Sequence, residues 1–285
     1  MNFKSSFSIL AFALPILYLS ACNQTEQKLP DQENTTVENN LVKFEGHTLE
    51  RASANCNTDS ATCATVSIRY PEAVAGPAAV QQSINSFIQQ RLKQIMLDFN
   101  PDAAATNKGD AANQLADFFL KQHQQYTEEV IPNSGIPAAT AEWELKVDAA
   151  PLYVADSVSS IYMEVYHYAG GAHGNYYRTL QSFDAKGNLL RLKELVNDTV
   201  ALRKLTEAKF RQVKEGIGTK PLSEAGLFIE GNTLPFPQNA AITSEGLLLY
   251  YNPYEIGPWA FGDTEIILPY QQVNSILAEE YRNKQ

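Results

Sequence analysis

Cysteine is scarce in this chain, with three residues in 285, and tryptophan scarcer still, with two. Cys56 and Cys63 share a polar loop, but their spacing is not CxxC and no His or third Cys stands close by, which argues against a zinc or redox centre there. Positive charge is also short, since 22 Lys and Arg face 32 Asp and Glu for a formal net charge of −10. No basic stripe exists to neutralise phosphates, so nucleic acid is not an expected partner. After the first twenty residues no apolar run approaches membrane length, and no repeat of 20 to 50 residues is evident.

What is present at the start is an export signal. Lys4 precedes the apolar run FSILAFALPILYL, which is too short for a stable span. Its end, Leu19-Ser20-Ala21-Cys22, resembles the lipobox of bacterial lipoproteins, in which the cysteine receives diacylglycerol before cleavage. Residues 1–21 are therefore expected to leave, and Cys22 to be the lipidated first residue. Asn23 is not the Asp of the inner-membrane retention rule, which implies an outer-membrane anchor and a periplasmic domain. Loss of Lys4 leaves 21 basic against 32 acidic residues, a net −11. In an oxidising compartment Cys56 and Cys63 should pair, and closing so small a loop stabilises by about 2 to 3 kcal/mol.

Residues 22–40 are nearly free of apolar side chains and read as a tether. Strand-like segments follow, LVKFEGHTLERAS and then ATVSIRYPEAV with Val66, Ile68 and Tyr70 on one face. From Ala78 to Phe99 the residues Val80, Ile84, Phe87, Ile88, Leu92, Ile95 and Met96 recur at helical spacing. A second helix is expected over Asp110 to Glu129, ended by Pro132 and Pro137. The second half returns to strands, AEWELKVDAAPLYVAD, VSSIYMEVYHYAG and GNYYRTLQSFDAKGNLL, with a hairpin turn at Asp184 to Asn188. On the middle strand Ile161, Met163 and Val165 face one way, and Tyr162, Tyr166 and Tyr168 the other. A helix over Asp198 to Glu215, three closing strands and a helix over Tyr270 to Tyr281 complete the reading. The class expected is α+β, antiparallel strands with packed helices, in two closely associated subdomains at 41–155 and 156–285.

The segment Tyr168-Ala169-Gly170-Gly171-Ala172-His173-Gly174-Asn175 resembles the signature of the DUF3298 domain family. Leu189 to Val196, the aromatic strand Leu247 to Tyr251 and the turn Asn252-Pro253-Tyr254-Glu255-Ile256-Gly257 are similar to that family in order and spacing, over roughly Val158 to Glu280. The first half is similar in layout to a DUF4163-type domain. Such pairs occur on lysozyme-sensing anti-sigma factors, on cell-wall polysaccharide deacetylases and on envelope lipoproteins, so the resemblance implies an extracytoplasmic binding module.

Two segments concentrate the candidate binding residues. The loop and strand after Tyr168 offer Gly170, Gly171, His173, Asn175 and Tyr176, a composition of adaptable recognition surfaces. The later turn offers Tyr251, Tyr254 and Trp259, with Glu255 and Asp263 able to meet a basic partner. Glu164, His167 and His173 come nearest to a metal set, yet Glu164 and His167 lie three apart on a strand and point to opposite faces. No nucleophile elbow stands near His173. The expectation is a non-enzymatic binding protein with no cofactor or metal, whose partner is a basic lysozyme-like muramidase or peptidoglycan. The alternative is a cell-wall hydrolase or deacetylase with a site around His173.

Overall fold

Alternating apolar residues in the first half build a hairpin of β1 (Lys43–Ala52) and β2 (Ala64–Ala75), in which Ala64, Val66 and Ile68 are buried. The protein, a computed structural model, is described at residues 41–57, 62–100, 103, 110–135 and 141–283. The expected signal peptide, the lipidation site Cys22 and the tether lie outside the described residues. Cys56 and Cys63 form a disulfide, with Cα atoms 4.6 Å apart, across the loop between β1 and β2.

Helix α1 (Ala78–Phe99) has the expected bounds, and its stripe of Val80, Ile84, Ile88, Leu92, Ile95 and Met96 is buried against the sheet. Helix α2 (Ala111–Gln125) starts where the Asp110 side chain accepts the amide of Asn113, satisfying a donor the helix itself cannot. It does not stop at Pro132. The chain continues through a wider turn at Tyr126–Val130, closed by the Ile131 amide on the Tyr126 carbonyl, into α3 (Ile131–Ser134), which carries Pro132 in its first turn. Gly135, with φ +67°, supplies the left-handed stop.

The two helices are the crossover that lets β3 (Trp143–Val154) pair with β2 in parallel, a pairing that the expected antiparallel arrangement lacks. β4 (Val158–Tyr168), β5 (Asn175–Asp184) and β6 (Leu189–Leu190) follow antiparallel, giving a six-stranded sheet in chain order. β3 and β4 are neighbours in this sheet across the expected subdomain boundary at residue 155. Ile161, Met163 and Val165 face α1 and α2 in the first core. Gly187, at φ +83°, closes the β5–β6 turn; a Cβ there would come within 2.6 Å of the Ala79 carbonyl.

α4 (Leu192–Leu195) and α5 (Thr199–Val213) lead into a second sheet of β7 (Asn239–Ile242), β8 (Gly246–Tyr251) and β9 (Thr264–Pro269). The second core joins α5 and this sheet through Phe210, Leu247, Leu249 and Tyr251. The reverse side of β7 to β9 meets the outer face of the large sheet, where Ala241, Leu248 and Tyr250 pack on Leu180, Tyr162 and Tyr176. The architecture is therefore α+β, with two cores sharing one large sheet. The terminal helix is much shorter than expected. Only α6 (Tyr270–Val273) forms, because the following backbone pairs with another segment instead: Asn197 donates to the Ile276 carbonyl and Ala278 to that of Leu195. That exchange buries Ile276, Leu277 and Tyr281.

Two tyrosines bind these layers together. The Tyr70 hydroxyl donates to Asp110 at 3.2 Å and that of Tyr270 to the Thr243 carbonyl at 2.9 Å. Burial pushes both phenols up to about 12, with Asp110 adding to the effect at Tyr70. Because the folded values are raised, their contribution is complete below pH 10 and is lost as pH climbs from 10 to 12. Urea midpoints measured across that window should fall steeply, and Tyr70→Phe should make the fall shallower. A variant profile parallel to wild type would show that Tyr70 does not titrate with unfolding.

Candidate functional site

Arg178 is one of the links between the two sheets, beside the Leu180 amide on Asn239 and the Ile242 amide on Ser182. Arg178 on β5 stands directly across from Glu164 on β4, and its Nε donates to Glu164 at 2.7 Å. Its Nη2 pairs with the same carboxylate, and its Nη1 reaches Glu265 on β9 at 2.6 Å. The guanidinium lies 4.5 Å from the ring centre of Tyr250 on β8. Burial works against its charge, but Tyr176 and the two carboxylates outweigh burial and hold the guanidinium firmly protonated. The backbone adds a second link. Arg178 N donates to Asn252 Oδ1 at 2.7 Å, and Asn252 Nδ2 donates back to the Arg178 carbonyl at 2.9 Å.

This clamp places the turn after β8 beside the loop before β5. Gly170 and Gly171 take φ of +83° and +103°, which reverses the chain after Tyr168. Tyr168 donates its hydroxyl to the Gly171 carbonyl at 3.0 Å. Gly174 lies against Tyr166 so closely that a Cβ would come within 2.6 Å of the ring. The loop then presents His173, whose ring stacks on Trp259 at 4.4 Å between centres and 10° between planes. Tyr254 flanks Trp259 at 5.9 Å, and its hydroxyl is 3.5 Å from His173 Nε2. Lys214, the residue after α5, fixes the far side of the turn, donating to the carbonyls of Phe261 at 2.5 Å and Asp263 at 2.8 Å.

The two segments singled out in the sequence thus meet in one aromatic ledge of His173, Trp259 and Tyr254, with Asn175 exposed near its base. Tyr254 is 53 % exposed and, among the described residues, is the only one other than glycine with positive φ, at +66°. A bulky side chain in that region costs about 1 to 2 kcal/mol, so the backbone carries strain to present an exposed ring.

Other candidates are placed differently. Tyr251 is fully buried and donates to the Pro235 carbonyl at 2.6 Å, so it closes the second core rather than meeting a ligand. Tyr176 is half-buried between the sheets beside Tyr250. Glu255 accepts the amides of Asn252 and Gln238, and burial pushes its carboxyl up despite them. Asp263 accepts the Tyr250 hydroxyl at 2.6 Å. Glu255 thus has both oxygens engaged inside the protein, which corrects the expectation that it awaits a basic partner, whereas Asp263 is exposed and keeps one oxygen free of Tyr250. His173 Nδ1 contacts the Gly174 carbonyl, and no carboxylate holds the ring among the described residues, so the general-base arrangement imagined for it is not formed. His167 packs on Phe99 instead of turning toward Glu164, and burial lowers its pKa. Among the described residues no group of three His, Cys, Asp or Glu is arranged to hold a metal. Sequence reasoning placed Arg178 with the recognition surface and Asn252 in the aromatic turn without seeing that they join the two, and it missed Lys214.

Residues 193–271 match the model of DUF3298, a family described as a protein of unknown function, which confirms that resemblance for this part of the chain. Residues 56–176 match the family described as Deacetylase PdaC. The DUF4163-type likeness of the first half stays an expectation. The fold is that of solved DUF3298 proteins. One from Bacteroides fragilis is 20% identical with a TM-score of 0.61, covering 83% of this chain and 94% of that one. Another from Pseudomonas aeruginosa is 16% identical with a TM-score of 0.59, covering 86% and 98%. The peptidoglycan-N-acetylmuramic acid deacetylase PdaC of Bacillus subtilis is 25% identical over 179 residues, or 61% of this chain, and the match spans 37% of the deacetylase's length. The expectation that the chain is not an enzyme does not stand beside these matches, because its N-terminal part is similar, at a distance, to a deacetylase.

The strain at Tyr254 gives a direct test of the ledge. Replacing Tyr254 by Gly should raise stability by about 1 kcal/mol through relief of the left-handed backbone, read from urea unfolding. A variant less stable than wild type would mean that the ring's packing outweighs the strain.

Proposed function

We propose that this protein is a cell-envelope lipoprotein that engages the glycan of peptidoglycan through the ledge of His173, Trp259 and Tyr254. In this reading Cys22 carries the lipid that anchors it in the outer membrane, and the folded domain faces the periplasm. The observation that carries the proposal is the ledge itself, a half-buried Trp259 between the exposed rings of His173 and Tyr254 at the meeting of the two family-matched segments. Aromatic faces pack against the C–H faces of sugar rings, while His173 and Asn175 offer hydrogen-bonding groups at the edge. The likeness to a peptidoglycan deacetylase supports the choice of ligand.

Peptidoglycan now stands ahead of a basic muramidase. A muramidase would be steered by net charge, yet Glu255, the carboxylate of the ledge turn itself, spends both oxygens on the amides of Gln238 and Asn252, and the exposed Asp263 has one oxygen on Tyr250. The test is binding to purified peptidoglycan in a sedimentation assay, with acetate release followed in the same samples. Trp259→Ala and His173→Ala should each weaken binding by about thirtyfold, the effect of losing an anchor worth about 2 kcal/mol. Saturable binding that ignores both substitutions would overturn the ledge as the site.

A further inference from the structure

We propose that a second sugar-binding groove lies on the other side of the His173 loop, on the outer face of the large sheet. The inference rests on the peptidoglycan reading and extends it from one contact to two. The groove has a volume of about 340 Å³ and is lined by Cys63, Thr65, Glu142, Trp143, Glu144, Tyr166 and Tyr168. Register explains why these side chains gather. Thr65, Glu144 and Tyr168 stand in one row across β2, β3 and β4, and Lys146 stands opposite Tyr166 in the next row of β3 and β4. Tyr166 and Tyr168, two apart on β4, therefore point out of the same face and are only half-buried.

The polar groups have unused capacity. Glu142 is exposed and makes no hydrogen bond or ion pair among the described residues. Glu144 pairs with Lys146 through one oxygen at 2.5 Å, leaving the other free to accept. Two tyrosine rings beside two carboxylates suit a sugar, whose apolar face covers a ring while its hydroxyl and acetamido N–H groups donate to carboxylate oxygens. The disulfide holds the β1–β2 loop at one end of the groove through Cys63. All seven lining residues fall within residues 56–176, the segment similar to the PdaC family.

The groove and the ledge share one loop. Gly171 takes the Tyr168 hydroxyl and Gly174 rests on the Tyr166 ring, while His173 between them makes the ledge. A glycan that touches both must therefore be longer than one that covers the ledge alone. The full-length protein in detergent should be titrated calorimetrically with the N-acetylglucosamine–N-acetylmuramic acid disaccharide and with the corresponding tetrasaccharide. The longer fragment should bind at least about tenfold more tightly, and Glu142→Gln and Glu144→Gln should each remove about tenfold from it while leaving the disaccharide unchanged. Among the described residues Glu142 has no partner, so its variant keeps the test decisive even if Glu144→Gln frees Lys146. Equal affinity for both fragments, or two silent groove variants with Trp259→Ala weakening every fragment, would overturn the groove and leave the ledge standing. Unchanged binding in Trp259→Ala would instead remove the ledge reading.

Discussion

The position of the site depends on how β5 is joined to the turn after β8. Asn252 exchanges two hydrogen bonds with the backbone of Arg178, and the Arg178 side chain carries the same junction outward to Glu164 and Glu265. Of the two, the backbone exchange fixes geometry more tightly, because each bond is short, shielded and made by a side chain with few rotamers. The ion pairs are partly exposed, which screens their attraction, although an arginine gripping two carboxylates also limits how the sheets can slide. The junction adds to the β5–β7 hydrogen bonds and the buried cluster of Leu180, Leu248 and Tyr250 in holding the His173 loop against the Trp259 turn.

Much of the scaffold was legible because local chemistry and tertiary packing agree there. The spacing of Val80, Ile84, Ile88 and Leu92 defines α1, Asp198 caps α5 by accepting two amides, and Asp184 to Asn188 closes a hairpin around a glycine with positive φ. What escaped was non-local. The parallel pairing of β2 with β3 cannot be read from two alternating strands separated by helices, since the alternation is the same for either direction. Apolar residues from Tyr270 to Tyr281 resemble a helical stripe, but the second core takes them as a short helix, a turn bonded to residues 195–197 and a second tight turn at Glu279–Tyr281.

The site was half legible for a related reason. The glycine-rich loop and the aromatic turn stand out by composition, and the fold brings them together. Which aromatic points outward depends on the strand that carries it. Tyr250 and Tyr251 face opposite sides of β8 and are both buried, because each side of that sheet is covered by a different core. Glu255 and Asp263 read as free acids from their positions, whereas the turn uses them for its own amides and for Tyr250. Arg178 left one usable signal: an arginine alternating with Tyr176 and Leu180 on a half-buried strand requires an acid across the sheet, and Glu164 stands there once the register is known.

The segment that matches the PdaC family takes in β4 and the His173 loop and ends at the start of β5. The central claim is that Trp259 meets the glycan. The chain has two tryptophans, Trp143 and Trp259, so two indole N–H signals appear in an amide-correlation NMR spectrum and Trp259→Phe assigns them. Titration with soluble peptidoglycan fragments should shift the Trp259 indole saturably, with the same midpoint as binding measured by calorimetry. Binding that leaves the Trp259 signal in place would contradict the account.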